Sequence, residues 1–373
     1  MTTAFINRIA TAVPPHDVHE AFLRFARAQF AGDRRAALLF RRMTERSGIE
    51  HRYSCLSPAA LPKETGGGDE FYRRGDFPNT AARMRMFETH APPLAATAVD
   101  RLQLGGDRNR ITHLIITSCT GFSAPGLDLE LVDRCGLPPS VERTMVGFMG
   151  CYAAVNALKL ARHIVRSERS ARVLAVNVEL CSLHCQETKD IEQMLSFLLF
   201  ADGCAACLVT AEPEGAALDS FHAVVVPDTR DLITWSIRES GFDMVLSGAV
   251  PAAIHDALCK GAESVLGGAR PDDIDLWAVH PGGRTVLDAV ERAFDLAPPA
   301  LAASREVLRR CGNMSSATVM FVLEALLRHA QHGARGCAMS FGPGMVAETM
   351  LFHAVKSEVA ETARRIREPA EIA

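Results

Sequence analysis

Residues 147–180 read GFMGCYAAVNALKLARHIVRSERSARVLAVNVEL. A Gly-Cys pair opens the stretch. Ala154, Leu158, Ala161 and Val165 then recur at i, i+4, i+7 and i+11, which predicts a helix with one apolar face. Lys159, Arg162 and Arg166 fall elsewhere on its wheel. The helical pattern gives way to a β-rich run at 172–180. Residues 112–118 (THLIITS), 204–210 (CAACLVT), 275–279 (DLWAV) and 336–341 (GCAMSF) read as strands in the same way. The run SSATVMFVLEALLRHA after Asn313 is apolar nearly all round, as a core helix is. Strands alternating with helices predict a layered α/β fold.

The pattern echoes itself. A strand (112–118) leads into Cys119, and later Gly150-Cys151 opens a helix. A second strand (275–279) leads into His280, and later Gly312-Asn313 opens a helix. Two similar halves would bring Cys151, His280 and Asn313 together where strand ends and helix starts converge. The stretch 61–89 is rich in Gly, Pro and charge and is expected to run over the surface. The charged tail from Ser357 onward is expected to do the same.

The chain has 373 residues, 48% of them hydrophobic and 23% charged, which suits a globular protein and excludes general disorder. Lys+Arg 40 against Asp+Glu 44 gives a net charge of −4, so a chain built to coat nucleic acid is not expected. No apolar run reaches the ~18 residues of a spanning helix, and the opening MTTAFINRIATAVPPHDV lacks the pattern of a signal peptide. The expected location is the cytoplasm, where the 11 cysteines stay reduced and one can serve as a nucleophile.

Cys151 stands at a helix start, where unpaired N–H groups and the helix dipole favour a thiolate. His280, in WAVHPGG, ends a strand beside a Gly turn, a position from which an imidazole can face a ligand. Asn313, in CGNMSS, reads as an N-cap or as an amide donor to developing negative charge. No phosphate loop or dinucleotide fingerprint is present. Cys181, His184, Cys185, Cys204 and Cys207 are close in sequence. Cys204 and Cys207 fall within one strand and point to opposite faces, so no metal is expected.

Several stretches together resemble the type III polyketide synthases, the chalcone synthase-like branch of the thiolase superfamily. They are RRMTERSGIEHRY (41–53), THLIITSCTGFSAPGLD (112–128), GFMGCYAA (147–154), LLFADGCAA (198–206), WAVHPGG (277–283), SREVLRRCGNMSSA (304–317) and SFGPGMVAETM (340–350). The resemblance implies a thiolase-like fold: two α-β-α-β-α halves forming a five-layered core, here residues 1–212 and 213–373. It implies a homodimer. It makes Cys151 the acyl-accepting nucleophile, with His280 and Asn313 as the pair that activates it and polarises the thioester carbonyl. Phe200 becomes the gate of the inner cavity. Arg42 and Arg46 become holders of the coenzyme A phosphates, a third basic position being Leu39 here. Ser315, Phe341, Gly342 and Pro343 are expected around the cavity.

The implied activity extends an acyl-CoA starter with malonyl-CoA, with no metal, nicotinamide or other cofactor. Cys119 and His184 stand where the family has threonines, Met244 where it has phenylalanine, and Trp235 where it has glycine. These four make the chalcone reaction itself doubtful and favour a pyrone- or resorcinol-type product. The rival readings are a single condensation on a carrier protein, as in ketoacyl-carrier-protein synthase III, and a Cys-His-Asn thioester or amide hydrolase.

Overall fold

The computed structural model describes residues 2–62 and 71–356. Nine strands form its main sheet: β1 (Phe5–Ala12), β2 (His113–Ser118), β3 (Glu142–Gly147), β4 (Val173–Leu180), β5 (Asp202–Thr210), β6 (Gly215–Val225), and, past a separate hairpin of β7 (Ile233–Arg238) and β8 (Gly241–Leu246), β9 (Leu276–Val279), β10 (Arg335–Gly342) and β11 (Val346–Val355). Their order is β9-β10-β11-β6-β1-β5-β4-β2-β3.

That order contains a repeat. In the first part β2 is parallel to β4, β4 antiparallel to β5, and β5 antiparallel to β1. In the second part β9 is parallel to β10, β10 antiparallel to β11, and β11 antiparallel to β6. Within the sheet the two parts meet at the β1–β6 pair, at Phe5↔Ala217 and Ile6↔Ala216. Edge strand β3 has no counterpart in the second part.

Three large apolar clusters pack the sheet against its helices. In β4 every residue is buried. Leu174, Val176, Val178 and Leu180 face an outer cluster with Phe25, Phe87 and Leu131, while Val173 and Ala175 face a central one. This period of two with both faces apolar marks a strand covered by helices on both sides. The helices Ala153–Ser167 and Thr318–His329 share the central cluster. The helices Val250–Val265 and Arg284–Ala293 cover the far face of the second part. The fold is therefore the layered α/β architecture the sequence predicts.

One reading needs correction. The stretch expected to be irregular up to Thr89 becomes, from Thr80, a 22-residue helix, Thr80–Arg101, capped by the Asn79 side chain. Its buried stripe includes Arg83, Phe87, Ala91 and Leu94. A charged residue in that stripe and Pro92-Pro93 inside the helix hide the period. Arg83 is held by backbone carbonyls, among them Pro78 at 2.8 Å and Cys185 at 2.9 Å. The tail from Ser357 lies outside the described residues. No helix of the described residues is long and apolar enough to cross a membrane.

Candidate active site

Cys151 sits in a single 3₁₀ turn, Gly150–Tyr152, that feeds the helix Ala153–Ser167. Gly150 has φ +71°, and a Cβ there would come within 2.2 Å of Pro343 Cδ. Only glycine allows the turn that presents the thiol beneath the Ser340–Gly344 loop. Gly342 does not line the cavity, contrary to the sequence reading. It packs beneath Cys151, where a Cβ would meet the Tyr152 ring at 2.6 Å and the Cys151 backbone nitrogen at 3.4 Å.

Asn313 enters from the other half. Its backbone N–H donates to Leu199 O at 2.8 Å, and Ala201 N–H donates to Asn313 O at 2.9 Å. Its Oδ1 accepts the Ser315 N–H at 2.9 Å, so Nδ2 faces the opposite way and donates to Gly282 O at 3.3 Å. A second Nδ2 hydrogen remains for a ligand. Ser315, at φ +47°, is in a region non-glycine residues seldom occupy. Cys151 Sγ donates to its Oγ at 3.8 Å. His280 follows β9 and is buried, and neither ring nitrogen has a partner among the described residues. Cys151, His280, Asn313 and Ser315 line one cavity.

Burial dominates the electrostatics. It pushes the Cys151 thiol up to about 12, outweighing hydrogen bonds from Ser315 and Asn313 that act the other way. It pushes the His280 imidazole down to about 3. The lowering expected from the helix start is thus overridden. Either charge alone is penalised by desolvation. A proton passed from thiol to imidazole creates both charges at once, and their attraction offsets the loss of water for each.

The cavity holds about 800 Å³ of space outside the atoms, part of it open to solvent. Phe200, Cys119, His184, Trp235, Met244, Phe341 and Pro343 all line it. Trp235 pairs with Met244 across the β7–β8 hairpin and donates from Nε1 to Cys119 O at 2.6 Å. His184 is a spacer: Nε2 donates to Thr120 O at 2.7 Å and Nδ1 accepts the Phe242 N–H at 3.0 Å. Burial lowers its pKa to about 3, so the imidazole stays neutral, stacked 4.2 Å from the Phe242 ring.

Arg42 and Arg46 are not in this cavity. Both are exposed on the helix Arg34–Ser47, and no acidic side chain among the described residues pairs with either. The Arg284 side chain reaches the Arg46 carbonyl at 3.4 Å.

Two site groups escaped the sequence reading. Glu179, one residue before the end of β4, is fully buried and accepts from Cys119 N–H, Thr120 Oγ1 and Ser316 Oγ at 2.9, 2.9 and 2.6 Å. Burial still raises its pKa to about 7. Arg52, also buried, donates from Nη1 to Phe197 O at 2.8 Å and Phe200 O at 2.9 Å, fixing the backbone at Phe200. An acidic residue breaking the apolar run VLAVNVEL was the available signal for Glu179. Among the described residues no three His, Cys, Asp or Glu side chains are placed to hold a metal ion.

Comparison with known proteins identifies the family. Residues 2–213 match the profile of chalcone and stilbene synthases, N-terminal domain, and residues 217–356 match the C-terminal domain. The chain belongs to the chalcone and stilbene synthase family. It is a type III polyketide synthase, an acyltransferase that condenses malonyl-CoA iteratively onto an acyl-CoA starter. It is 33% identical over 371 residues to the alpha-pyrone synthesis polyketide synthase-like Pks18 of Mycobacterium tuberculosis, covering 95% of this chain and 92% of that one. It is 35% identical to bisdemethoxycurcumin synthase of Oryza sativa subsp. japonica, covering 94% and 92%. The solved structure of PKS-I from the brown alga Ectocarpus siliculosus superposes with a TM-score of 0.85 at 31% identity, covering 95% and 99%.

The geometry yields a test of the thiol–imidazole couple. His280→Ala leaves Cys151 with burial and no proton acceptor of that kind. Alkylation of Cys151 by iodoacetamide at neutral pH, read by peptide mass, should fall tenfold or more. The pH of half-maximal rate should rise above the ordinary thiol value of 9.0. Unchanged alkylation would remove His280 from the couple.

Proposed function

We propose that this synthase makes a pyrone- or resorcinol-type polyketide from an acyl-CoA starter, using Cys151, His280 and Asn313. The observation that carries the reading is the convergence of those three side chains, from both halves of the chain, in one apolar cavity. Cys151 passes its proton to His280 and attacks the starter thioester; a Cys151 thioester forms and coenzyme A leaves as the thiol form once protonated. Malonyl-CoA then loses CO2, and the electron pair of the broken C–C bond becomes an enolate. Asn313 Nδ2 and protonated His280 donate to the enolate oxygen, where charge develops. The enolate carbon attacks the Cys151 carbonyl, frees the thiolate, and leaves a chain two carbons longer on coenzyme A.

The soft wall of Cys119, Cys181 and Met244 suits an aliphatic starter, and a relative named for alpha-pyrone synthesis supports the lactone. Trp235 narrows one side and limits chain folding. Coenzyme A thioesters are the only small molecules this chemistry needs. Arg42 and Arg46, exposed and without acidic partners among the described residues, suit the coenzyme A phosphates.

The test is incubation with malonyl-CoA and starters of different length, followed by product masses. Products heavier than the starter acid by two or more acetate units support the reading; free starter acid alone contradicts it. Asn313→Ala should cut malonyl-CoA decarboxylation by ~10²–10³ while slowing acyl loading less, because the enolate loses a donor. Arg46→Ala should raise the malonyl-CoA KM and spare a malonyl thioester lacking the nucleotide.

The protein further reads as a homodimer joined near β3. This edge strand ends the sheet, with Met145 39% exposed and Phe122 beside it 37% exposed. An open edge with apolar side chains invites a second copy. Sedimentation velocity should give a dimer, and Met145→Lys should shift it toward monomer. A monomeric native chain would contradict the proposal.

A further inference from the structure

Strand β1 pairs with β5 from Phe5 to Ala12 but with β6 only at Phe5 and Ile6. Past Ile6 its other edge has no strand beside it among the described residues. A groove opens there, with about 1250 Å³ of space outside the atoms, part of it open to solvent. It shares no lining residue with the active cavity. In the order β1-β5-β4-β2-β3 it also lies at the far end from edge strand β3.

The floor of the groove is apolar. Ile9, Ala10 and Ala12 come from β1, Val307 from the helix Ala302–Cys311, and Phe321 and Ala325 from the helix Thr318–His329. The Cys311 thiol joins them, and burial pushes it up to about 11, so it stays protonated and uncharged. The β1 run from Ile9 to Ala12 extends ~10 Å. The helical run from Phe321 to Arg328 also extends ~10 Å. An elongated apolar body fits such walls.

The rim is charged, and its charges do not balance. Two carboxylates line it, and both are fully engaged. Glu324 Oε2 accepts from Thr11 Oγ1 at 2.8 Å, and Oε1 accepts from Arg328 Nη2 at 3.0 Å. The Glu306 oxygens accept from Arg309 Nε and Nη2 at 2.8 and 2.7 Å, and Arg309 is not part of the groove lining. Arg101 and Arg310 also line the groove, and neither has an ion pair among the described residues. Arg101 is drawn to the strand edge, where its Nη1 donates to Thr11 O at 2.6 Å. One exposed arginine is a solvated charge. Two uncompensated guanidiniums beside an apolar floor attract an anion whose body covers that floor.

We propose that this groove binds an elongated amphipathic acid: the apolar body lies along β1 and the helix Thr318–His329, and a single anionic head group meets Arg101 and Arg310. Charge complementarity sets the sign, since a cationic or neutral head would leave both guanidiniums unpaired. A fatty acid and the acidic enol of an alkylated hydroxypyrone share this chemistry, and only the second source rests on the proposed product. Arg310 stands three residues before Asn313, so the occupant touches the segment that carries the amide donor.

The test photolabels the full chain with decanoic acid carrying a terminal diazirine and maps the label by peptide mass. Equilibrium dialysis of decanoic acid, decanol and a 6-alkyl-4-hydroxy-2-pyrone runs beside it. Label should fall on residues 9–13, 303–307 and 321–328, and saturating hexanoyl-CoA should leave it there. Decanoic acid should bind ~tenfold more tightly than decanol, as a charge-assisted contact adds. Arg310→Glu and Arg101→Gln should each remove most of that difference and leave decanol unchanged. The tighter of decanoic acid and the pyrone identifies the source.

Label confined to the active cavity, and displaced by hexanoyl-CoA, overturns the proposal. So does equal binding of decanol and decanoic acid. Absence of label from the groove also overturns it, because the groove then belongs to residues 357–373 or to a second copy of the chain. If the arginine variants do not fold, labelling and dialysis of the native chain decide alone.

Discussion

Two backbone hydrogen bonds, Asn313 N–H to Leu199 O and Ala201 N–H to Asn313 O, tie the halves of the molecule together at the site. The rest of the arrangement depends on them. They set Asn313 beside Phe200 as an isolated bridge and fix the Asn313 side chain next to Gly282 and Ser315. Gly312 makes the approach possible: at φ +69° a Cβ would lie 2.9 Å from Leu199 O. Arg52 reinforces the same crossing from behind by holding the Phe200 carbonyl. Asn313 and Phe200 are therefore placed by main-chain geometry, as Cys151 is by the turn at Gly150.

The same enclosure sets the chemistry. An apolar wall lets a few hydrogen bonds act strongly on an enolate, because no water competes. It also opposes a lone thiolate at Cys151 and a lone imidazolium at His280. Glu179 adds to this. Burial raises its pKa to about 7 despite three donors around it, and its charge pushes the Cys151 thiol further up. A neutral His184, saturated by two backbone groups, keeps Trp235 and Phe242 in position without adding charge.

The elements were legible where one period ran uninterrupted. β4 and the helix Ala153–Ser167 show this, and so do the turns at Gly150 and Gly312, because glycine before a reactive side chain has few other uses. The echo of strand-then-Cys119 and strand-then-His280 corresponds to β2 and β9, which occupy matching places in the sheet. Thr80–Arg101 was not legible, because Arg83 occupies an apolar position and is held in part by carbonyls about a hundred residues away. Arg52 and Glu179 were hidden for the same reason: a charge reads as solvent-facing until its distant partners are known. Gly342 was placed correctly in sequence and wrongly in role. Its missing side chain makes room for Tyr152 and adds nothing to the cavity wall.

The central claim is that one thiol, Cys151, carries the chain between loading and condensation. It is tested most directly by peptide mass spectrometry of the protein loaded with hexanoyl-CoA and then chased with carbon-13 malonyl-CoA. The account predicts a hexanoyl adduct on the Cys151 peptide before the chase. During it, the adduct should disappear as labelled products with the hexanoyl unit appear. An adduct on another cysteine, or discharge of the Cys151 adduct to hexanoic acid without labelled product, would contradict it.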